Sequence, residues 1–358
     1  MEYTHGGDIY TYENIVDFSV NINPLGPSDA VLEAAKRGVE HTAAYPDSRC
    51  RRLRAKLAEK LQVPGERILF GNGAAELIYT LVLAEKPKKA LLPVPAFSEY
   101  EQALLTVGCQ IDYPVATEEN GFVVDESILE RLDSDVDILF LCSPSNPSGR
   151  AIRKELLLKI AARCEEKKIR FVLDECFVEF LPDAEEVSML RQTERFSTLF
   201  VLRAFTKIYG MPGLRLGYGV SSDLQLLESM AGMCQPWSVS IPAQEAGIAA
   251  LDEDERTDQV RRLVRREREY IEREMSRMRI NYISSDANFI LFRGGPDLFE
   301  QMKQQGILIR DCSNYRGLGR GWYRTAVKTH EENRRLLKAL EEADISGMTG
   351  TAEEEVDR

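Results

Sequence analysis

Several features that would indicate a membrane or secreted protein are missing from the sequence. The chain of 358 residues contains no run of 18 or more apolar residues, so no transmembrane helix is predicted. The N-terminal segment, MEYTHGGDIY, has no basic stretch followed by an apolar one, which argues against a secretory signal. From these absences we expect a soluble, cytoplasmic protein without a membrane partner.

Patterns typical of metal-binding and nucleic-acid-binding proteins are also missing. There are only three histidines, and the seven cysteines form no C-x-x-C pair, so no metal site is predicted. An odd number of dispersed thiols fits a reducing compartment. Lys and Arg number 46 against 58 Asp and Glu, a formal net charge of −12, which argues against nucleic acid as a partner.

The residues that are present suggest about two globular domains. Residues 1–47 are rich in turn formers and are predicted to be an N-terminal arm. In residues 48–245 short Val, Ile, Leu and Phe runs alternate with amphipathic helical stretches, which predicts an α/β fold: a three-layer α/β/α domain around a mostly parallel sheet. Residues 246–344 are predicted to form a smaller α+β domain, and residues 345–358 a disordered tail.

Four short segments could carry chemistry. The first, Phe70-Gly71-Asn-Gly73-Ala-Ala, is a strand, a glycine turn and a helix start, whose free backbone N–H groups could hold a phosphate. The second ends an apolar strand in a turn that presents Asn146. The third ends a strand in Asp174, where an open parallel sheet has its ligand crevice. The fourth is Thr206-Lys207, with Arg215 eight residues after the lysine, an amine beside a possible anion clamp.

Each segment alone has an ordinary alternative. Lys207 could be a surface lysine, Asp174 an exposed loop acid or a helix cap, and Asn146 a turn residue. The glycine turn is neither a dinucleotide fingerprint, because Glu76 replaces its last glycine, nor a P-loop. The combination of the four in this order is the informative feature.

In this order the segments resemble the fold-type I pyridoxal-phosphate enzymes of the aminotransferase superfamily, and the resemblance covers about residues 17–343. It implies an aspartate-aminotransferase-like fold and pyridoxal 5′-phosphate as the cofactor. Lys207 would form the Schiff base with the cofactor and later move protons at the substrate Cα. Asp174 would pair with the pyridine N–H and keep it protonated.

The resemblance implies roles for further residues. Asn146 would hydrogen-bond the 3′-oxygen of the cofactor, and Phe97 would stack on its ring. The phosphate would be held by a group of small and basic residues: Gly73, Ala74, Ala75, Thr206 and Arg215. Tyr45 would reach the cofactor phosphate of a neighbouring subunit, which implies a homodimer with shared active sites. Arg324 would grip the substrate α-carboxylate as a bidentate fork.

Two positions depart from the common pattern of the superfamily. Phe177 stands where many of these aminotransferases have a tyrosine hydroxyl on the 3′-oxygen, and Ala204 stands where a phosphate-binding Ser or Thr is common. The cofactor is still expected to bind. Phe177 should alter the electronic properties of the cofactor ring, and Ala204 should alter how the cofactor phosphate is held.

Two groups within the superfamily are nearest in pattern: threonine-phosphate decarboxylases of cobalamin biosynthesis and histidinol-phosphate aminotransferases. Stretches that resemble the first group are His5-Gly-Gly7, Phe18 to Gly26, Pro236-Trp-Ser-Val-Ser240 and Ile309 to Tyr315. Each could also be purely structural: a flexible terminus, a turn, a helix start or a strand end.

Both groups act on phosphorylated amino compounds, so the substrate phosphate needs its own donors. Arg310 is the best candidate, and His5 and the segment around Asn23 could add donors if the arm folds over the pocket. For His5 an exposed terminal position is the alternative. The resemblance therefore predicts decarboxylation of O-phospho-L-threonine or O-phospho-L-serine, with a histidinol-phosphate type of transamination as the alternative. A non-enzymatic binding module is a third hypothesis, opposed by the intact Lys207.

Overall fold

The computed structural model describes residues 5–12 and 14–343, and the predicted tail lies outside the described residues. The strands are β1 Val16–Asp17, β2 Ile68–Gly71, β3 Lys89–Leu91, β4 Gln110–Asp112, β5 Ile138–Cys142, β6 Arg170–Asp174, β7 Leu199–Ala204, β8 Gly217–Val220, β9 Tyr282–Ile283, β10 Phe289–Arg293, β11 Ile307–Leu308, β12 Arg310–Asp311 and β13 Trp322–Ala326. The helices are α1 Asp29–Glu40, α2 Arg51–Leu61, α3 Ala74–Glu85, α4 Ser98–Thr106, α5 Ile128–Arg131, α6 Lys154–Lys167, α7 Ala184–Val187, α8 Leu224–Met233, α9 Ile241–Ala250, α10 Asp254–Arg277, α11 Leu298–Gln304 and α12 His330–Glu342.

A seven-stranded sheet forms the centre of the predicted large domain, residues 48–245, in the order β2-β8-β7-β6-β5-β3-β4. Its pairs are parallel except for those of β8, which runs antiparallel to β2 and β7. The central strands are buried on both faces because alternate side chains enter two different cores. Leu139 and Phe171 pack in one core, whereas Phe140 and Val172 pack in the other. The helices that supply these cores cover both faces, as the predicted three-layer fold requires.

The C-terminal part of the chain has its own four-stranded antiparallel sheet, β12-β13-β10-β9. The long helix α10 buries Val260, Val264 and Ile271 at helical spacing, which is the pattern of an amphipathic helix on a core. Helix α12 begins with a capping box between Thr329 and Glu332. The proposed division at residue 245 falls within α9, and the division into domains stays a proposal.

The N-terminal arm crosses between the two parts of the chain. Strand β1 pairs with β11 of the C-terminal part, and the backbone N–H of Asn23 donates to the carbonyl of Lys207 at 3.0 Å in the large domain. Residues 16–23 of the arm are therefore held against both parts of the chain. In the described parts of the chain, none of the helices combines the length and apolar content needed to cross a bilayer.

Candidate functional site

A cavity of about 220 Å³ lies where β5, β6 and β7 end at their carboxyl ends, the edge at which open α/β sheets bind ligands. Eight of the predicted cofactor residues line it: Ala74, Ala75, Phe97, Asn146, Asp174, Thr206, Lys207 and Arg215. Six further residues complete the lining: Ile78, Tyr100, Cys142, Cys176, Phe177 and Ala204. The fold thus gathers residues that are up to 141 positions apart in the sequence into one pocket.

Asp174 ends strand β6 with its carboxylate buried in this cavity. The Tyr100 hydroxyl donates to Oδ2 at 2.6 Å, and the Cys176 N–H donates to Oδ1 at 2.9 Å. Burial raises the pKa of Asp174 above its ordinary value, and these hydrogen bonds oppose the rise. A buried carboxylate with lone pairs still available favours a cationic N–H partner.

Lys207 follows β7 and is also buried, with Nζ 5.3 Å from the centre of the Phe177 ring. Burial, with smaller contributions from Arg324 and Arg215, lowers the pKa of Lys207 to about 8, and Cys176 and Asp174 oppose the shift. Within the described residues its amine makes no hydrogen bond. A neutral, unpaired lysine amine is a good nucleophile toward a carbonyl.

The glycine turn and Arg215 form an anion site at one end of the cavity. Helix α3 begins after Gly73 without a side-chain cap, so its first backbone N–H groups are open to a ligand. Gly73 has a φ of +80°, and a Cβ there would overlap the Arg215 guanidinium. Gly217 approaches Ala74 so closely that a Cβ would overlap its backbone nitrogen. Glycines are therefore required at both positions to hold this cradle.

Arg324 of β13 connects three parts of the chain. Its Nη1 donates to Asn146 Oδ1 of the large domain, and its Nη2 donates to the Ser19 carbonyl of the arm at 2.8 Å. Its Nε is buried without a hydrogen-bond partner in the described residues. An unpartnered guanidinium N–H in a polar pocket is a ready donor for a carboxylate.

His5 and Arg310 both lie near Glu99. His5 Nε2 is 3.0 Å from Glu99 Oε1, and the N–H of Gly7 donates to Ser19 Oγ at 2.7 Å, so this segment is folded onto the protein. Arg310 is buried, and its Nη2 donates to Asn314 at 3.0 Å. Burial raises the pKa of Glu99, and His5 opposes the rise.

Two predicted site residues have their contacts outside the cavity. The side chain of Asn23 donates to the Ile208 carbonyl at 2.8 Å and accepts from the Leu25 N–H at 2.9 Å, so it supports the loop that carries the lysine. Tyr45 is 77% exposed and stacks on Trp237 with ring centres 4.3 Å apart. A role for Tyr45 toward a neighbouring subunit and a substrate contact by Asn23 stay predictions.

Three residues in contact with the predicted site had no role assigned from the sequence. Tyr100 contacts Asp174, Glu99 contacts His5, and the Tyr315 hydroxyl is 3.3 Å from Asn146 Oδ1. Tyr100 lies three residues after Phe97, which precedes α4, and their rings meet edge to face at 5.7 Å. That spacing is the signal in the sequence for Tyr100.

Comparisons with known proteins match this arrangement to a large enzyme family. The family model for aminotransferase class I and II matches residues 13–340. A threonine-phosphate decarboxylase of Salmonella typhimurium is 36% identical over 348 residues, which are 94% of this chain and 95% of that protein.

Two solved structures are similar over most of the chain. The histidinol-phosphate aminotransferase of Clostridium acetobutylicum has a TM-score of 0.84 at 31% identity and covers 90% of this chain and 97% of its own. The L-threonine-O-3-phosphate decarboxylase of Porphyromonas gingivalis has a TM-score of 0.80 at 27% identity and covers 91% of this chain and 98% of its own.

These matches confirm the predicted fold class and the resemblance drawn from the sequence. They also confirm pyridoxal 5′-phosphate as the cofactor, because the family depends on it. The chain belongs to the aminotransferase class I and II family of pyridoxal-phosphate enzymes.

Proposed function

We propose that this enzyme is a pyridoxal-phosphate-dependent carboxy-lyase that converts O-phospho-L-threonine, or O-phospho-L-serine, to the amino-alcohol phosphate and CO2. The observation that carries the proposal is the folded N-terminal segment, in which His5 lies against Glu99 beside the buried Arg310. In the proposal, His5 and Arg310 near Glu99 bind the substrate phosphate. The 36% identity to a threonine-phosphate decarboxylase over nearly the whole chain supports the same assignment.

The residues of the cavity fit the cofactor. The Asp174 carboxylate is buried and forms no ion pair within the described residues, so it fits a pyridine N–H. The open start of α3 with Arg215 fits a phosphate. Lys207 supplies the amine that joins the cofactor aldehyde, and Phe97 supplies an aromatic ring in the wall of the cavity. When bound, the cofactor supplies an electron sink for the bond broken at Cα.

Asn146 has the hydrogen-bonding capacity that the 3′-oxygen needs. A guanidinium can only donate, so the side-chain atom that meets Arg324 is the carbonyl oxygen of Asn146. The amide N–H₂ of Asn146 is therefore directed away from Arg324, and it makes no hydrogen bond within the described residues. It is available to donate to the 3′-oxygen.

In the proposed reaction Arg324 binds the α-carboxylate and orients it, and His5 and Arg310 bind the phosphate. Two charged anchors at opposite ends fix the rotation of the substrate about its bonds to Cα, which selects the bond to be broken. The Cα–carboxylate bond breaks, CO2 leaves, and Cα takes a proton that Lys207 Nζ delivers. A lysine pKa of about 8 suits such proton transfer near neutral pH.

We also propose a homodimer with shared active sites. Tyr45 and Trp237 form an exposed stacked pair outside their own cavity, which is where a residue that serves a neighbouring subunit would lie. Large exposed aromatic side chains are enriched at protein interfaces.

A histidinol-phosphate type of aminotransferase is the second candidate. The TM-score of 0.84 to the Clostridium acetobutylicum enzyme favours it, and the same cofactor residues would serve transamination. In that case Lys207 would move the proton from Cα to the cofactor carbon instead of returning it to Cα.

The test is a single assay on cofactor-loaded enzyme with O-phospho-L-threonine and O-phospho-L-serine, which follows CO2 release. Continuous CO2 release is expected, and L-threonine without phosphate should be a poor substrate. Arg310→Gln should raise KM for the phosphorylated substrate far more than for L-threonine. The matched control is Arg316→Gln, which removes a nearby arginine that pairs with Glu101 and should leave both KM values unchanged. Absence of CO2 from both phosphoamino acids, with glutamate formed from 2-oxoglutarate and histidinol phosphate, would establish the aminotransferase instead.

A further inference from the structure

We propose that Tyr315 is a positioning residue of the cofactor site, and that its hydroxyl, brought by the C-terminal part of the chain, holds Asn146 and Arg324 in their working orientation. The inference rests on the proposed role of Asn146 toward the cofactor 3′-oxygen. It does not depend on whether the enzyme decarboxylates or transaminates its substrate.

Three side chains form a closed cluster above the cavity. The Tyr315 hydroxyl lies 3.3 Å from Asn146 Oδ1 and 3.4 Å from Arg324 Nη1, and Arg324 Nη1 itself donates to Asn146 Oδ1. A carbonyl oxygen has two lone pairs, so the phenol and the guanidinium together saturate Oδ1 of Asn146. With its oxygen held by two donors, the amide cannot rotate without losing both contacts.

The local structure explains how Tyr315 reaches this position. Strand β12 pairs with β13 so that Arg310 is directly opposite Arg324. The chain then turns, with the Tyr315 N–H donating to the Cys312 carbonyl at 3.0 Å, and the Arg310 guanidinium lies 5.6 Å from the centre of the Tyr315 ring. Two arginines thus flank the tyrosine, one at its face and one at its hydroxyl.

The Tyr315 hydroxyl is protonated and can therefore act as a hydrogen-bond donor. Burial raises the pKa of Tyr315 above its ordinary value, and the nearby arginines only oppose the rise. The hydroxyl therefore keeps its proton at neutral pH and can donate it to Asn146 Oδ1.

The orientation of Asn146 is important because the nearby residue Phe177 has no hydroxyl. This ring lies under Lys207 and meets Phe289 edge to face at 4.9 Å, and it has no hydroxyl to offer the 3′-oxygen. In this chain the orientation of Asn146 therefore has more influence on the hydrogen bond to that oxygen than it would beside a tyrosine. Tyr315 fixes that orientation through its contacts with Asn146 and Arg324.

The experiment measures the pH at which the visible absorbance of the substrate-free, cofactor-loaded enzyme changes. Tyr315→Phe should move this midpoint to higher pH by about half a unit. A less well oriented Asn146 donates more weakly to the 3′-oxygen, which destabilises the deprotonated form of the Schiff base between Lys207 and the cofactor. Tyr282→Phe is the matched control: it removes a hydroxyl that meets Ser276 at 3.0 Å at the surface, and its midpoint should equal that of the wild type.

A second measurement separates positioning from a general structural effect. In an Asn146→Ala background, Tyr315→Phe should cause no further change in the midpoint, because the group it orients is gone. An unchanged midpoint in the single variant, an equal shift in both backgrounds, or loss of cofactor binding by Tyr315→Phe would each overturn the inference. A wild-type enzyme without a visible cofactor band would instead refute the cofactor site itself.

Discussion

The buried position of Lys207 should determine how fast the apoenzyme captures its cofactor. Only the neutral amine can attack the aldehyde of pyridoxal 5′-phosphate. Burial lowers the pKa of Lys207 to about 8 from the ordinary lysine value of 10.5. At pH 7 about one amine in ten is then neutral, compared with about one in three thousand for an exposed lysine, an advantage of roughly 300-fold.

The rate of capture should follow this titration. The neutral fraction grows about 50-fold between pH 6 and pH 8 and less than twofold between pH 9 and pH 11. Apoenzyme is mixed with excess cofactor across this range, and the initial growth of visible absorbance is recorded in a stopped-flow instrument. Free Nα-acetyl-lysine with the same cofactor serves as the reference, and its rate, divided by its own neutral fraction, gives the pH dependence of the aldehyde itself.

The result that would refute the reasoning is a capture rate that continues to rise tenfold per pH unit up to pH 10. Such a lysine would be hydrated and ordinary, and the cavity would not desolvate it. Lys207→Ala should give no covalent visible band at any pH, and a band in that variant would mean that another lysine binds the cofactor.

Three further predictions follow from contacts in the site. Tyr100→Phe removes the 2.6 Å hydrogen bond to the buried Asp174, so the pKa of that carboxyl should rise further. The free energy of unfolding of the apoenzyme, measured in urea, should fall by about 1.5–3 kcal/mol, and an unchanged unfolding midpoint would contradict this. Gly73→Ala places a Cβ against the Arg215 guanidinium at a backbone φ that is strained for alanine. The Kd for the cofactor, measured by fluorescence quenching, should therefore rise about fivefold or more. An equal Kd would show that the Gly73 turn does not hold the phosphate. Arg324→Lys loses the planar fork, so KM for the amino acid should rise about tenfold while the visible cofactor band is retained; an unchanged KM would show that another residue binds the carboxylate.

The parts of the fold that sequence patterns predict well are the long periodic ones. The sequence predicts a helix over residues 51–61, which are the bounds of α2, and a strand over residues 169–174, one residue longer than β6. Both are well predicted because buried apolar runs and amphipathic stretches give strong local signals. Helix α9, Ile-Pro-Ala-Gln-Glu-Ala-Gly-Ile-Ala-Ala, is apolar around most of its circumference, so it has no helical stripe to detect. The pairing of β1 with β11 involves two residues on each strand and sequence positions about 290 apart, which no local pattern can reveal.

The same distinction applies to the site. Lys207, Asp174 and Asn146 follow strands in a fixed chain order, and that order predicted their meeting in one cavity. The contact of Arg324 with the Ser19 carbonyl cannot be predicted from the sequence, because every residue has a backbone carbonyl. Tyr315 was within a stretch that the sequence singled out, but its hydroxyl contact depends on how β12 pairs with β13.

The proposed role of Arg324 indicates which contacts would set the reaction specificity of this enzyme. The cofactor residues serve decarboxylation and transamination equally, so the choice must depend on how the substrate carboxylate is held relative to the cofactor. Arg324, its proposed holder, is fixed by Asn146 in the large domain, by the arm through the Ser19 carbonyl and by its own strand in the C-terminal part. The Ser19 hydroxyl accepts from Gly7, and His5 is two residues further toward the N-terminus beside the proposed phosphate site. In the proposed function, the residues that bind the substrate phosphate and carboxylate both depend on this short stretch of the arm. A change in the arm should then alter the geometry at Cα before it alters binding of the cofactor.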